Sequence, residues 1–530
     1  MITPPGLVPG SSKTNILLII LDTHRFDRLG CYGYARGTTP NLDAFARSAI
    51  TFENAIAPAQ WTIPSHASMF TGLPPSTHQA TQANSKLDGR FVTFAEHLKR
   101  SGYETVGFCN NPLLGLIHNN LRAGFQKFYN YSGTTPNIPR DFPNSSVYPL
   151  ERAWDHAEDL VRKILDPIQN KFATSNELLQ AATHPIFVPL WTRLVHFKGY
   201  TVRSIADVTN FLDAKSRRAD LAPFLLFLNL METHLPFFPP RQYIERFAPQ
   251  IQEERNARQF MRSFNTQAMQ WLIPLKRPFS ELEARTMSDM YDAEVAYQDH
   301  LLGKLLELLE HGTILDNTLV IIAADHGEML GEHNFMGHGF GVYKELIQVP
   351  LLIRLPGQRK GWRVKQPVLT TRLFQTILHA AGIAEVSNDT GERTDTRQGS
   401  LVKEFGTPES VGRGPQNRVI SEAYAPGDAL QMMERREPEL IAPLHTRETH
   451  RAVYGAETKL YDIEGIGRRL LTFGDEDGLP REEMRQALVE QLAEFLQACR
   501  DNQPEGWTVP TVDISDPFLE QRLRDLGYME

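Results

Sequence analysis

The chain has few cysteines. Cys31, Cys109 and Cys499 are the only three in 530 residues, they lie far apart, and no CxxC pair occurs. That excludes a disulfide framework and a zinc ribbon, and three largely unpaired thiols suit a reducing compartment. Long hydrophobic runs are lacking too. The apolar run Ile16 to Leu21 has strand length, far below the roughly 20 residues of a helical membrane span. The first 14 residues contain Pro4, Pro5, Gly6, Pro9 and Gly10 but no long apolar segment, so they read as a flexible start and not as a secretory signal. A cytoplasmic protein is the expectation. A basic excess is also missing. The net charge of −8 argues against nucleic acid as the main partner, because phosphate binding needs a basic footprint. With 41% hydrophobic and 22% charged residues, neither disorder nor a fibre is favoured, and the length allows more than one core.

What the chain does have is a set of apolar runs that end in ligand-type side chains. Asn15-Ile16-Leu17-Leu18-Ile19-Ile20-Leu21 reads as a strand buried on both faces, as in a parallel sheet covered by helices. It runs into Asp22-Thr23-His24-Arg25. A second such run, 223–230, ends at Met231-Glu232-Thr233-His234, and a third, 318–324, at Asp325-His326-Gly327-Glu328. Ligands of open α/β sheets gather at the carboxyl ends of strands. Carboxylate and imidazole are what a divalent metal binds. Any one of these endings is equally a turn or a buried structural histidine; three together point to a metal-assisted site. A shorter strand at 105–108 ends at Asn110-Asn111-Pro112, where either asparagine could face a ligand or form a turn.

Another stretch, Trp61-Thr62-Ile63-Pro64-Ser65-His66-Ala67-Ser68, precedes an apolar helical segment. Proline belongs in the first turn of a helix. Thr62 is therefore expected at or just before the N-cap, with His66 about one turn further on the same face. A helix start attracts anions, sulfate and phosphate included; the plain alternative is an ordinary hydroxyl cap. Helices are also expected from Pro40, over 91–101, 153–165, 202–212 and 287–309, and a strand over 349–355. Gly337-His338-Gly339 forms a glycine-rich loop that lets backbone approach a ligand. Phe187, Trp191 and Leu194 either line an apolar approach or pack as ordinary core. The organisation expected is a flexible start (1–14), an α/β unit over 15–385 with helical inserts at about 129–222 and 249–286, and a smaller α+β unit over 386–530. Strands at 418–422, 450–454 and 459–463 and a helix with Leu488, Leu492, Phe495 and Leu496 mark the last.

Taken in order, Leu21-Asp22-Thr23-His24-Arg25, Thr38-Thr39-Pro40-Asn41, Thr62-Ile63-Pro64-Ser65-His66, His234-Leu235-Pro236-Phe237, Asp325-His326-Gly327-Glu328 and Val349-Pro350-Leu351 resemble the sulfatase family, within the alkaline-phosphatase-like superfamily of metal-dependent hydrolases. The resemblance covers most of the chain. It implies an α/β fold with a mostly parallel central sheet sandwiched by helices, a smaller C-terminal α+β domain and helical inserts. It implies one divalent metal ion, Ca²⁺ in the family pattern, with Mn²⁺, Zn²⁺ or Mg²⁺ also compatible. Asp22, Thr62, Asp325 and His326 fall at the metal ligands, and Thr62 at the nucleophile. His66 stands where the family usually has an arginine, His234 at its substrate-binding or acid histidine, and His338 where a basic residue contacts the sulfuryl oxygens. Asn110 or Asn111 falls near another substrate-binding position. Two departures stand out. Thr23 replaces the second aspartate of the usual pair, and threonine cannot be oxidised to formylglycine, so none is expected. The chain resembles a branch with Thr-x-Pro-Ser-His at the nucleophile.

The function implied is hydrolysis of sulfuric esters of a small molecule, glycan or lipid. The second reading is a phosphate or phosphonate ester hydrolase or phosphotransferase, and the third a non-catalytic binding protein. A second metal, which would draw on Glu232, His234 and His338, is not expected. The sequence does not give the oligomeric state.

Overall fold

The computed structural model describes residues 13–132, 138–139, 198–217, 222–266, 273–311, 313–387, 393–407, 418–455, 458–472, 482–502 and 510–511. The expected flexible start up to residue 12, the helix at 153–165 and the apolar residues Phe187, Trp191 and Leu194 lie outside them.

The largest sheet has eight strands: β1 (Asn15–Leu21), β2 (Ile50–Phe52), β3 (Glu104–Cys109), β4 (Lys127–Asn130), β5 (Phe224–Leu230), β6 (Thr318–Ala323), β7 (Leu351–Arg354) and β8 (Trp362–Val364). Their order is β8-β2-β7-β6-β1-β5-β3-β4. All pairings are parallel except those of β7, which runs against both β6 and β2. The apolar runs are continuous because both faces are covered. Along β1, Ile16, Leu18 and Ile20 join one core and Leu17, Ile19 and Leu21 the other, the period-2 alternation of a strand. The first core is closed by α1 (Thr62–Thr71), through Ile63, Ala67 and Phe70, and by α4 (Leu373–Ala380). The second is closed by α2 (Thr201–Ser216) and α3 (Glu281–His311). The result is the α/β sandwich with a mostly parallel sheet that the sequence implied.

Several boundaries differ from the sequence reading: the helix expected over 91–101 spans Phe94–Arg100, that over 202–212 runs on to Ser216, and two more differ for a plain reason. α3 begins six residues before 287, because Ser280 and Glu283 cap it reciprocally: Glu283 Oε2 accepts from the Ser280 N–H at 2.8 Å and Ser280 Oγ from the Glu283 N–H at 3.3 Å. The expected strand at 349–355 is split. Pro350, lacking an N–H, separates β7 from Gln348–Val349, which pairs with Ala55–Ile56 in a three-stranded sheet.

A separate antiparallel sheet has the order β9 (Val419–Ala423), β10 (His450–Tyr454), β11 (Thr458–Ile463) and β12 (Gly467–Thr472). Its strand β12 was not expected. One face packs Ile420, Val453 and Leu460 on Leu488 and Leu492 of α5 (Glu482–Asp501). The other packs Val419, Ala423, Ala452 and Tyr454 on Val342, Leu346 and Ile347, which follow the His338 loop.

Candidate active site

Parallel strands bring their carboxyl ends to one edge of a sheet. Here the neighbours β6, β1, β5 and β3 deliver Asp325 and His326, Asp22, His234, and Asn110 and Asn111 to that edge. Asp22, Asp325 and His326 are fully buried, and their ligand atoms all lie within 4.8 Å of one another. His326 Nε2 is 3.9 Å from Asp22 Oδ1 and 3.5 Å from Asp325 Oδ2. Both of those carboxylate oxygens are buried without a hydrogen-bond partner. Among the described residues no lysine or arginine forms an ion pair with either acid. Burial, with the Asp325 charge added, holds the Asp22 carboxyl well above the usual range, and burial pushes Asp325 up to about 7. Two oxygens and an imidazole nitrogen with nothing to neutralise them fit a divalent cation. Among the described residues this is the one group of that kind; Glu232, His234 and His338 do not form a second.

The residues behind the group are aligned for the same task. His326 Nδ1 donates to the Gly327 carbonyl at 2.9 Å, so its Nε2 presents a lone pair towards the two carboxylates. Burial pushes this imidazole down to about 4, which keeps it neutral. Asn111 Nδ2 donates to Asp22 Oδ2 at 2.6 Å while its Oδ1 caps the turn at Leu113. The His326 and Thr23 N–H groups donate to Asp325 Oδ1 at 3.0 and 3.4 Å. Thr23 has φ 58°, the left-handed region that a β-branched residue rarely enters. Its hydroxyl donates to the Asp22 carbonyl, and the Tyr291 hydroxyl donates to the Thr23 carbonyl at 2.7 Å. The strained residue thus offers its backbone, not its side chain, to the group.

Thr62 is the first residue of α1, one step inside the expected position, with Trp61 at the N-cap and no side-chain cap. Its hydroxyl is not spent on capping. Oγ1 lies 3.3 Å from His326 Nε2, at the positive end of a helix whose ten residues are all buried. Thr62 therefore lies beside the group of Asp22, Asp325 and His326, with which the family resemblance had placed it. His66 lies below them. Its Nδ1 donates to the Thr62 carbonyl at 3.0 Å and stands 3.4 Å from Asp325 Oδ2. Its ring packs edge-on against Phe70 and Phe227, and burial pushes it down to about 3. It is a neutral ring beside Asp325 whose N–H is spent on the Thr62 carbonyl.

His234 and His338 complete the cluster. Their ring centroids are 5.1 Å apart, and His338 is 4.5 Å from His326. His234 Nδ1 donates to the Leu235 carbonyl at 2.6 Å. His338 Nδ1 meets Glu328 Oε1 at 2.8 Å. Glu328 is fully buried, pushed up to about 7 by burial, and its Oε2 has no hydrogen-bond partner. In the sequence Glu328 closes the Asp325-His326-Gly327-Glu328 motif, and its place three residues after Asp325 is the signal for it. Asn110 is turned to the segment after the first insert: Nδ2 donates to Thr201 Oγ1 at 2.6 Å and to the Lys198 carbonyl at 3.3 Å. Lys198 donates to the Glu232 carbonyl and to Glu294 Oε1, each at 2.6 Å. Nothing local in the sequence marks it.

A family model described as "Sulfatase" matches residues 14–383. The chain is 26% identical to an arylsulfatase of Clostridium perfringens over 389 residues, 70% of this chain and 76% of that protein. It is 24% identical to the uncharacterized sulfatase YidJ of Escherichia coli over 377 residues, 70% of this chain and 68% of that one. Among solved structures, the phosphonate monoester hydrolase of Agrobacterium radiobacter superposes with a TM-score of 0.58 at 21% identity, covering 92% of this chain and 96% of that chain.

Proposed function

We propose a reaction from a plain premise: the chain belongs to the sulfatase family and is a sulfatase-like ester hydrolase. The reaction is hydrolysis of a sulfuric ester by in-line attack at sulfur, with Thr62 as nucleophile. The observation that carries it is the Thr62 hydroxyl, 3.3 Å from His326 Nε2 beside two buried carboxylates without a cation.

Asp22, Asp325, His326 and Thr62 would hold a divalent cation. When bound, that ion supplies a Lewis acid for the transferring group and lowers the pKa of the attacking hydroxyl. The chain supplies the rest. Asn111 holds the carboxylate of Asp22, and the His326 and Thr23 N–H groups hold that of Asp325. The start of α1 sets a positive dipole end against the non-bridging oxygens. Glu328, whose carboxyl burial pushes up to about 7, fixes His338 through Nδ1; with the shared proton on Glu328, His338 carries its own on Nε2 and donates it to those oxygens. His234, which burial holds neutral by pushing it down to about 3, stands beside it with Nδ1–H spent on the Leu235 carbonyl, so its Nε2 takes the Thr62 hydroxyl proton and returns it to the leaving alkoxide. Attack of Thr62 Oγ forms an O–S bond and breaks the ester S–O bond; the hydroxyl's proton passes through His234 to the departing alkoxide, the alcohol leaves, and water then cleaves the threonine ester to restore the hydroxyl and release hydrogen sulfate.

The residue that favours a second reading is the same one. Cβ of Thr62 carries a methyl group, so the aldehyde route is closed, and a threonine ester suits phosphoryl transfer equally well. Phosphate or phosphonate ester hydrolysis or phosphotransfer on this scaffold is that reading. Aryl sulfate, phosphate monoester, phosphodiester and phosphonate substrates, each assayed with Ca²⁺, Mg²⁺, Mn²⁺ and Zn²⁺, separate the two. Fastest turnover of aryl sulfate, with a sulfuryl adduct on the Thr62 peptide in mass spectra, is the expected result. Strong phosphodiester or phosphonate turnover without sulfate turnover sinks the first reading.

A further inference from the structure

The metal group is held by the central sheet, but the two loops that face it are fastened elsewhere. The approach to Thr62 and the loop of His338 are both hydrogen-bonded to the C-terminal sheet and its connections. The Pro58 carbonyl accepts from the Glu422 N–H of β9 at 2.9 Å. Gln60, two residues before Thr62 and fully buried, donates both hydrogens of its Nε2: to the Tyr424 carbonyl at 2.8 Å, just past β9, and to the Gly339 carbonyl at 3.2 Å, next to His338. Its Oε1 has no partner, so those two bonds are what the amide does. On the far side of the same loop, Lys459 of β11 donates to the Val342 carbonyl at 2.8 Å, with Nζ 5.3 Å from the centre of the Tyr454 ring.

A side-chain amide fixes the angle between its two N–H bonds. One planar group therefore ties the nucleophile loop, the His338 loop and the β9 end at set distances. Lys459 pins the other end of the His338 loop. Asp22, Asp325 and His326 take none of their hydrogen bonds from these residues. The two functions are thereby separated: one sheet holds the cation group, the other aims the groups around it.

We propose that Gln60 and Lys459 are positioning residues that use the C-terminal sheet to set His338 against Thr62. The proposal rests on the roles given above to Thr62 and His338. Misplacement of a reacting group by about 1 Å costs on the order of a hundredfold in rate, and loss of these bonds frees the loops by that order.

The test uses the full chain with Gln60→Met, Lys459→Met and Lys459→Arg. It reads kcat and KM on the best ester, the metal concentration that gives half-maximal thermal stabilisation, and the affinity for orthovanadate, which adopts the five-coordinate shape of in-line transfer. Q60M is expected to lose roughly ten- to a hundredfold in kcat, with KM and the metal midpoint within about threefold and vanadate about tenfold weaker. K459M follows in the same direction, and K459R, which keeps a donor, recovers most of the loss. Unchanged kcat and vanadate affinity overturn the proposal. So does a loss of activity that metal affinity explains. If Q60M does not fold, K459M decides by the same readings. If the wild type turns over no sulfate, phosphate or phosphonate ester, the reaction assigned to Thr62 fails. The vanadate arm still decides the brace: equal affinity in wild type and variants overturns it.

Discussion

The two sheets treat buried acids in opposite ways. In the C-terminal sheet, Arg451 is 5% exposed and reaches three carboxylates: Glu422 at 3.1 Å, Glu464 at 3.2 Å and Asp462 at 3.8 Å. At the edge of the central sheet, Asp22 and Asp325 are as deeply buried but have neutral neighbours, two histidines and an asparagine. A buried carboxylate without a cation is costly. The first arrangement is complete within the chain. The second has no matching charge among the described residues, which fits the cation site proposed there, and this mismatch, more than burial itself, sets the candidate site apart.

The comparison breaks first on turnover. Thr62→Ala and Asp325→Asn are expected to lower kcat by roughly a thousandfold or more, whereas variants of the Arg451 network leave the chemistry intact. A steady-state assay on the best substrate checks this.

Stability should show the reverse order. Arg451→Met strands the buried Glu422, while Asp462 keeps Arg468 at 2.7 Å, so it should cost about 3–5 kcal/mol in urea unfolding. Metal-free D325N removes an unmatched charge and should unfold within about 1 kcal/mol of the metal-free wild type, or above it. If D325N were the more damaging of the two, Asp325 would be a structural acid.

Chelation sharpens the same contrast. At about a hundred times the Kd, a bound metal adds about 2.7 kcal/mol of stability. EDTA should remove that increment from the wild type, lowering Tm, and change nothing in D325N. Asn111→Ala, which frees Asp22 Oδ2, should weaken metal binding by about ten- to a hundredfold, read as a shifted metal titration, with little effect on the metal-free protein.

The last contrast concerns Lys459 and pH. Burial pushes its ammonium group down from 10.5 to about 8. The unfolded chain then holds this proton more tightly, so the group's contribution to stability rises with pH between about 8 and 10.5 and is lost as pH falls through 8. The difference in unfolding free energy between wild type and K459M should therefore change across that window and stay flat below it.

Much of this was legible in the chain. β1, β5 and β6 declared themselves by unbroken apolar runs, and the ligand-type residues at their ends followed from chain direction alone. Thr62 stood out because a proline two residues on announces a helix start. The split of 349–355 could have been read from Pro350, and the early start of α3 from Ser280 and Glu283. Gln60 and Lys198 were not readable in this way. Their partners are distant in sequence: Gly339 is 279 residues from Gln60 and Glu294 is 96 from Lys198.

The sequence by itself determined the strands, the helix start and the chemical types placed at each strand end, because periodicity and turn residues act over a few neighbours. The tertiary structure decided which of those types meet. It set Thr62 Oγ1 against His326 Nε2 across 264 residues, left two carboxylate oxygens without partners, and gave Asp462 and Glu422 an arginine. Whether a buried charge is matched depends on everything packed around it, and that is a property of the folded whole.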